Sequence, residues 1–331
     1  MFEFDVVPGT VVAEVLGANR EQVLDLVRDA YLWHEQNQTV NPDSYFLRFP
    51  EKPEARIIAL PAYVGGTVGK AGIKWISSFP GNIDQGVPRA SAVLLLNDYA
   101  TGHPIACLEA AGISAARTAA SAAVATAALT EQAPRVSMVG AGVIARTILD
   151  YLLASGLRPA ALDVYDLETG SAEHLARYAK TQIDHVSVVP TLDHALQSDL
   201  IVFATTAASP YVGAATELRP GQVLLNISLR DLAPELLLGA DNIVDDVEHC
   251  LKAQTSPHLA EQLSGGRDFI TGTIGGLLRG QVSLDPDRPV IVSPFGLGVL
   301  DIVVGQFVLE QARRTGQAIG IPGFFGETTR W

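Results

Sequence analysis

The stretch RVSMVGAGVIA, residues 135–145, joins an apolar strand to a glycine-rich turn and the start of a helix. A dinucleotide-binding fingerprint requires this context. Gly140 permits the tight turn, Gly142 lets the backbone approach a pyrophosphate, and Ala145 allows the helix to pack closely on the strand. The alternative is a helix start that merely needs glycine. We expect the turn to bind a dinucleotide through Gly140, Ala141, Gly142, Val143, Ile144 and Ala145.

Two further segments bear on this cofactor. Asp166 ends the next strand, in LDVYD, where a ribose contact belongs. Its carboxylate can accept hydrogen bonds from both ribose hydroxyls but repels a 2′-phosphate, which favours NAD over NADP; a solvated turn aspartate is the alternative. Thr205 and Thr206 follow a later strand, at the edge where cofactor and substrate meet in such sheets, and indicate the site more weakly.

Strands and helices alternate after Pro134, which predicts a doubly wound parallel sheet of the Rossmann type. Six strands are expected, at residues 135–139, 162–165, 186–189, 200–204, 223–227 and 242–244. The earlier chain has a helix over residues 20–36, with Asn19 as its N-cap, and then short strands between Tyr45 and Glu109, which predict a strand-rich α+β domain. Because a further helix over residues 298–313 follows the sheet, we expect a discontinuous substrate-binding and dimerisation domain of residues 1–118 with 308–331, and an NAD-binding domain of residues 119–307.

The composition narrows the class of protein. The 331 residues suffice for about two domains, and the net charge of −13 argues against nucleic acid as a partner. Cys107 and Cys250 lack metal-ligand spacing, so we expect neither a metal site nor a disulfide framework, and a reducing cytoplasm fits. The Ala-rich run of residues 110–129 contains Arg117 and predicts a buried helix and no membrane span.

Three cations interrupt apolar segments of the first domain: Arg48 in YFLRF, Lys74 in GIKWISS and Arg117 in the Ala-rich run. A shielded cation needs an anionic partner or a catalytic use. For each cation alone, a structural ion pair or exposure of the charged end is as good an explanation. Together they indicate a pocket for the carboxylate of an amino or keto acid. Asp231, in NISLRD, is a candidate to position a water or amine, with a helix N-cap as the alternative.

These residues, taken in order, resemble the ornithine cyclodeaminase/mu-crystallin family along almost the whole chain. The resemblance rests on Arg48, Lys74, the run TGHP at residues 101–104, RTAA at residues 117–120, the fingerprint and Asp231. It implies an NAD-binding, two-domain homodimer associated through its N-terminal sheets. Arg48, Lys74 and Arg117 are then expected to bind the substrate carboxylate, and Asp231 to act near the reacting nitrogen and water.

Within that family, the run FPGNIDQGVPRASA at residues 79–92, with CLE at residues 107–109, is similar to the branch that makes L-2,3-diaminopropionate for siderophores and peptide antibiotics. That resemblance implies NAD-dependent oxidation of N-(1-amino-1-carboxy-2-ethyl)-L-glutamate, followed by hydrolysis to 2-oxoglutarate and diaminopropionate. Glu109 departs from the Asp usual in the family, which leaves its role open. Alternatives are ornithine cyclodeamination, another amino-acid or imine dehydrogenation, and non-catalytic NAD binding as in mu-crystallin relatives.

The implied reaction needs a base for the secondary amine and later for the attacking water. Lys74 and Asp231 are the two candidates. Lys74 can serve only if burial and neighbouring arginines lower its pKa; otherwise it acts as a carboxylate clamp.

Overall fold

A computed structural model describes residues 3–326, which form two units. One contains the chain up to Arg117 together with the chain from Leu297 onward, and the other is Thr118–Gly296. The strands are β1 Asp5–Val7, β2 Thr39–Val40, β3 Tyr45–Phe49, β4 Lys52–Val64, β5 Lys70–Ser78, β6 Ala90–Asp98, β7 Pro104–Glu109, β8 Arg135–Val139, β9 Ala161–Tyr165, β10 His185–Val188, β11 Leu200–Phe203, β12 Val223–Asn226, β13 Asp241–Val244, β14 Ile270–Thr273, β15 Val290–Ser293 and β16 Ile319–Gly320. The helices are α1 Gly9–Ala18, α2 Arg20–Glu35, α3 Ala111–Leu129, α4 Val143–Ala154, α5 Thr169–Ala179, α6 Leu192–Ala195, α7 Pro234–Leu238, α8 Val247–Cys250, α9 Ser256–Ser264, α10 Ile274–Leu278 and α11 Gly298–Arg314.

The second unit is a parallel sheet in the order β10-β9-β8-β11-β12-β15-β13-β14. Its middle strands bury Phe203, Leu224 and Ile291 completely, as expected for strands covered on both faces. The chain reverses its direction of winding between β8 and β11, and ligands bind at the carboxyl ends of strands at such a point. The doubly wound fold class is confirmed.

The first unit is built on a mostly antiparallel sheet in the order β16-β1-β7-β6-β5-β4-β2, with β3 paired to β4. Helix α11 packs on one face of this sheet, where Ile302 and Leu309 are fully buried. The approach is close because Gly305 has no side chain: a Cβ there would collide with Leu94. This contact holds the middle of α11 against β6.

The prediction of six strands in the second unit is wrong, because the structure has eight there among its described residues. The two additional strands are β14 and β15, and β15 inserts between β12 and β13. Strand β15 has four residues and lies between Pro289 and Pro294. So short an apolar run, bounded by prolines, carries no periodicity that separates a strand from a loop.

The N-terminal region also contains more structure than the sequence indicated. Strand β1 and helix α1 precede the predicted helix, which the structure confirms as α2. Helix α1 has three valines and two glycines among ten residues, a composition with low helix propensity, and it forms because Val12, Val15 and Leu16 are buried. Asn19 does not cap α2 with its side chain as expected, because its amide donates to the Val15 carbonyl at 2.7 Å.

The boundary between the units differs from the expected one at its second crossing. The expected return to the first unit, at residue 308, falls inside the continuous helix α11, whereas the structure returns at Leu297. The early part of α11 belongs with the first sheet, since a Cβ at Gly298 would lie 3.1 Å from the Ala62 Cβ. Residues 1–2 and 327–331 of the expected first domain lie outside the described residues.

Residues 3–326 contain neither a helix suited to span a membrane nor a cluster of metal-binding side chains. No helix there is both long enough and apolar enough to cross a bilayer. The same residues contain no group of three or more His, Cys, Asp or Glu side chains arranged to hold a metal ion.

Candidate active site

Lys74 and Arg117 converge on one carboxylate inside the first unit. Lys74 Nζ lies 2.7 Å from Asp301 Oδ2, and Arg117 Nε lies 3.2 Å from Asp301 Oδ1. Lys74 also donates a hydrogen bond to Ser114 Oγ at 3.2 Å. The sheet supplies the lysine, α3 supplies Arg117 and Ser114, and α11 supplies the aspartate. Two cations and one carboxylate leave one net positive charge in this buried cluster.

Burial changes the chemistry of Lys74, whose side chain is 1% exposed. Loss of water around the ammonium, followed by repulsion from Arg117, lowers the pKa of Lys74 to about 8, although Asp301 acts in the opposite direction. A lysine that acts as a base here needs a pKa lowered by burial and by a neighbouring arginine. Lys74 meets this requirement. Lysine near this pKa can both release and take up a proton at neutral to slightly alkaline pH.

Arg48 does not join this cluster. The structure places it in β3, where all residues except Phe49 are exposed, so the expectation that it is shielded in an apolar element is wrong. Its guanidinium lies 5.5 Å from the centre of the Phe46 ring. Among residues 3–326, strand β3 pairs with β4 alone, so one of its edges and much of its surface face solvent. The apolar residues of YFLRF therefore do not indicate burial.

Glu109 caps helix α3. Its two carboxylate oxygens accept hydrogen bonds from the Ala111 N–H at 2.7 Å and the Gly112 N–H at 3.3 Å. A carboxylate that accepts the first free N–H groups of a helix satisfies them and complements the helix dipole. Glu109 therefore has a structural role, because it holds the start of the helix that carries Arg117.

The fingerprint turn of the second unit has the geometry that a dinucleotide needs. Gly140 has φ of +93°, and a Cβ there would lie 2.5 Å from the Ala204 carbonyl oxygen. Gly142 precedes α4, and a Cβ there would meet nothing within 4 Å. Ala145 is fully buried against the sheet. The exposed start of α4, with open space beside Gly142, fits a pyrophosphate bound to backbone N–H groups.

Asp166 lies beside this turn. Its Oδ2 accepts a hydrogen bond from the Ala141 N–H at 2.7 Å, and its Oδ1 accepts one from the Glu168 N–H at 2.9 Å. These bonds hold the carboxylate at the end of β9 next to the fingerprint. Each oxygen keeps a further lone pair for a ribose hydroxyl.

Asp231 is fully buried in the second unit and is held by two hydroxyl groups. Its Oδ1 accepts hydrogen bonds from Thr205 Oγ1 at 2.5 Å and from Tyr211 Oη at 2.9 Å. Its Oδ2 is buried and has no hydrogen-bond partner among residues 3–326. The N-cap alternative is wrong, because α7 begins after Ala233 and Asp231 bonds to side chains instead. The second oxygen is thus left as a hydrogen-bond acceptor without a donor among the described residues.

The threonines at this edge behave differently. Thr205 donates to Asp231, and its oxygen also accepts a hydrogen bond from the Ala207 N–H at 3.2 Å. Thr206 is exposed. Burial and the Asp231 carboxylate raise the pKa of Tyr211, so its hydroxyl stays protonated and donates.

Sequence reasoning missed Asp301 and Tyr211. Asp301 carries the same signal that identified Arg117, a single charge within an apolar helix, here GVLDIVVG. Tyr211 lies in a loop without periodicity, and nothing in its neighbourhood indicates a contact with Asp231, twenty residues later.

Comparison with known proteins places these features in a family. The model of the ornithine cyclodeaminase/mu-crystallin family matches residues 12–316. A curated relative, the N-((2S)-2-amino-2-carboxyethyl)-L-glutamate dehydrogenase of Staphylococcus aureus (strain NCTC 8325 / PS 47), is 29% identical over 91% of this chain and 93% of its own length.

Two solved structures are similar over the whole chain. The archaeal alanine dehydrogenase dimer with bound NAD has a TM-score of 0.87 at 24% identity, and covers 98% of this chain and 100% of its own. The crystal structure of CmnK has the same TM-score and the same coverage at 28% identity. The fold, the fingerprint and the extent of the family match together show that this chain belongs to the ornithine cyclodeaminase/mu-crystallin family.

Proposed function

We propose that this chain is an NAD-dependent dehydrogenase that oxidises the glutamate-side C–N bond of N-((2S)-2-amino-2-carboxyethyl)-L-glutamate. At the level of the family, it is an NAD-dependent amino-acid or imine dehydrogenase or cyclodeaminase. The observation that carries the proposal is the buried Lys74–Asp301–Arg117 cluster, whose net positive charge calls for an anion. The similarity to the Staphylococcus aureus dehydrogenase supports this choice of substrate.

Lys74 and Arg117 bind the carboxylate next to the carbon that is oxidised. The Arg117 guanidinium donates from Nε to Asp301, and its planar set of five N–H donors is suited to grip a substrate carboxylate as well. Asp301 fixes the direction of both cations and offsets part of their repulsion. A carboxylate bound here replaces lost solvation with charged hydrogen bonds.

NAD supplies a hydride acceptor when it is bound. Gly140 permits the tight turn against Ala204, Gly142 leaves room for the pyrophosphate at the start of α4, and Asp166 accepts hydrogen bonds from the ribose. Ala141, Val143, Ile144 and Ala145 complete the turn and the first turn of the helix, with Thr205 and Thr206 at the neighbouring strand end.

Two residues move protons. Lys74, in its neutral form, takes the proton of the secondary amine as the carbon loses hydride and the C–N bond becomes an imine. Asp231 holds a water through its unused oxygen and accepts a proton as that water adds to the imine carbon. In the overall reaction, the substrate, NAD⁺ and water give 2-oxoglutarate, L-2,3-diaminopropionate, NADH and a proton. The diamino acid serves as a building block for siderophores or peptide antibiotics.

The chain also has a surface suited to a homodimer. A row of register partners, Tyr45, Ala59, Trp75 and Val93, crosses four strands on one face of the first sheet. Tyr45 is 68% exposed, Trp75 40% and Val93 41%. An apolar row of this kind on a sheet face marks an interaction surface. Sedimentation analysis is expected to show a dimer, and Trp75→Asp is expected to shift it toward monomer; a monomeric wild type would contradict this.

The proposed activity is tested by incubating the protein with NAD and the synthetic conjugate, and following NADH absorbance with mass detection of both products. We expect NADH, 2-oxoglutarate and diaminopropionate in equal amounts. Turnover of ornithine to proline and ammonia, with none of the conjugate, would identify a cyclodeaminase instead. Binding of NAD without turnover of any amino acid would contradict an enzymatic role.

A further inference from the structure

A second group of cations lies on the same face of the first sheet as Lys74. Side chains alternate between the faces of a strand, so Lys74, Ile76 and Ser78 share one face of β5. Register partners also share a face: Arg56 lies opposite Ser78, and Arg48 lies opposite Arg56. We call Arg48, Arg56, Ser78 and Arg89 the distal cluster.

Arg89 reaches this face from the loop that joins β5 to β6. Its Nη1 donates to Ser78 Oγ at 2.8 Å, and Ser78 is 7% exposed. Burial lowers the pKa of Arg89. No carboxylate among residues 3–326 pairs with Arg89. A half-buried guanidinium whose partner is a neutral hydroxyl keeps further N–H donors and a positive charge that its partner does not neutralise. Binding of an anion stabilises such a group.

The pairing of Arg48 with Arg56 also indicates that this end of the sheet face suits an anion. Like charges directly opposite each other on neighbouring strands destabilise a sheet. With Arg89 beside Ser78, three guanidinium groups belong to one end of one sheet face. In a protein of net charge −13, these three groups form a local positive region that suits an anionic ligand.

An apolar strip separates the two positive sites. Ile76 lies between Lys74 and Ser78, and its register partners are Ile58 and Ala92. Helix α11 packs farther along, where its Ile302 meets Gly72, so it covers the Lys74 end of the face. The face therefore offers a charged end at Lys74, an apolar middle and a second charged end at Ser78.

The spacing of the two ends suits a substrate with more than one carboxylate. Lys74 and Ser78 are four residues apart, about 13 Å along an extended strand. The proposed conjugate has a carboxylate four or five bonds from the one beside the oxidised carbon, about 5–6 Å when extended. Adding an ionic contact of roughly 3 Å at each end brings the span to about 11–12 Å. Amino acids with a single carboxylate cannot bridge the two ends through charge.

We propose that the distal cluster binds a second carboxylate of the substrate and thereby selects the conjugate over amino acids with one carboxylate. Arg89 makes the principal contact, and its planar fork matches a carboxylate. Ser78 positions the guanidinium, and Ile76 with its partners packs against the methylene groups in between. This inference rests on the proposed function. The second carboxylate belongs either to the glutamate side chain or to the diaminopropionate part.

The test compares Arg89→Leu with wild type on the conjugate and on two analogues, one lacking the side-chain carboxylate of glutamate and one lacking the carboxylate of diaminopropionate. For Arg89→Leu we expect KM for the conjugate to rise about 10- to 100-fold with kcat little changed. For one analogue, the variant and the wild type should agree within about twofold. That analogue identifies the carboxylate that the distal cluster binds.

Matched variants keep the test decisive. Lys70→Met removes a cation four residues from Lys74 in the opposite direction, on the same face of β5, and should leave KM unchanged. Arg89→Lys keeps the charge but loses the planar fork of donors, and it should recover part of the loss. It replaces Arg89→Leu if that variant does not fold.

An unchanged KM for the conjugate in both Arg89 variants, or equal losses on the conjugate and both analogues, would overturn the distal cluster alone. A wild type that does not oxidise the conjugate would overturn the proposed function and this inference together.

Discussion

The two units hold buried charge in opposite ways. In the first, two cations surround one carboxylate, so the Lys74–Asp301–Arg117 cluster keeps a net positive charge. In the second, the Asp231 carboxylate is held by neutral hydroxyls and has one oxygen without a partner among the described residues. The first arrangement attracts an anion, and the second offers a proton acceptor. Under the proposed function, the first unit binds the carboxylate and the second activates water, and each variant below tests one side of this division.

The largest effect is expected for Lys74→Met. The variant loses both a carboxylate contact and the group that accepts the amine proton, so kcat/KM for the conjugate should fall by about 10⁴-fold. NAD binding, measured by fluorescence titration of NADH, should change little, because the fingerprint is in the other unit. Loss of NADH binding together with activity would contradict the assignment. Lys70→Met is the matched control.

Asp301→Asn should cost stability as well as activity. It leaves Lys74 and Arg117 buried without their shared counter-ion, and removal of one partner from a buried ion pair costs about 3 kcal/mol or more. We expect the urea midpoint at pH 7 to fall accordingly. The loss should shrink as pH rises toward 8, because without Asp301 the pKa of Lys74 falls below 8, and the variant's lysine is then neutral at a pH where the wild-type lysine is still charged. Glu310→Gln, an exposed change in the same helix, serves as control, and equal stability of the two variants would contradict the account.

Asp231→Asn keeps the size of the side chain and an acceptor for Thr205 and Tyr211, but removes the basic carboxylate. We expect kcat to fall about 100-fold with KM nearly unchanged, because the substrate carboxylate binds elsewhere. The control is Thr205→Val, which removes one donor to Asp231 and should cost less. Wild-type kcat in Asp231→Asn would exclude Asp231 as the group that activates water.

The smallest effect concerns cofactor choice. Asp166→Ala removes the acceptor for the ribose hydroxyls and the charge that repels a 2′-phosphate, so the preference for NAD over NADP should fall about 10-fold. Steady-state kinetics with both cofactors measures this change. Glu168→Gln removes a nearby charge that is not at the strand end and should leave the preference intact. An unchanged preference in Asp166→Ala would place the discriminating group elsewhere.

The sequence predicted those parts whose signal is local. The fingerprint is one continuous stretch, and Lys74 and Arg117, which each interrupt an apolar segment, are themselves buried. Arg48 carries the same pattern but lies in an exposed strand, because hydrophobic letters do not distinguish a covered strand from one at the margin of a sheet. Burial depends on what packs against the strand, which is information outside the segment.

Contacts between residues distant in sequence could not be predicted from the sequence alone. Asp301 meets Arg117 across 184 positions, and only the fold brings α11 to α3. Strand β15 also required the fold, since its four residues become a strand through pairing with β12 and β13. Once the structure supplied Asp301, the isolated lysine and arginine became one site with a defined charge.

The central claim is that the Lys74–Asp301–Arg117 cluster binds a carboxylate of the substrate, and proton-linked calorimetry tests it most directly. An anion beside Lys74 raises its pKa from about 8, so binding takes up protons from the buffer. Titration of 2-oxoglutarate at pH 8, in buffers of different ionisation enthalpy, should show uptake of a fraction of a proton by wild type and none by Lys74→Met. Binding of equal strength without proton uptake in either protein would contradict the claim.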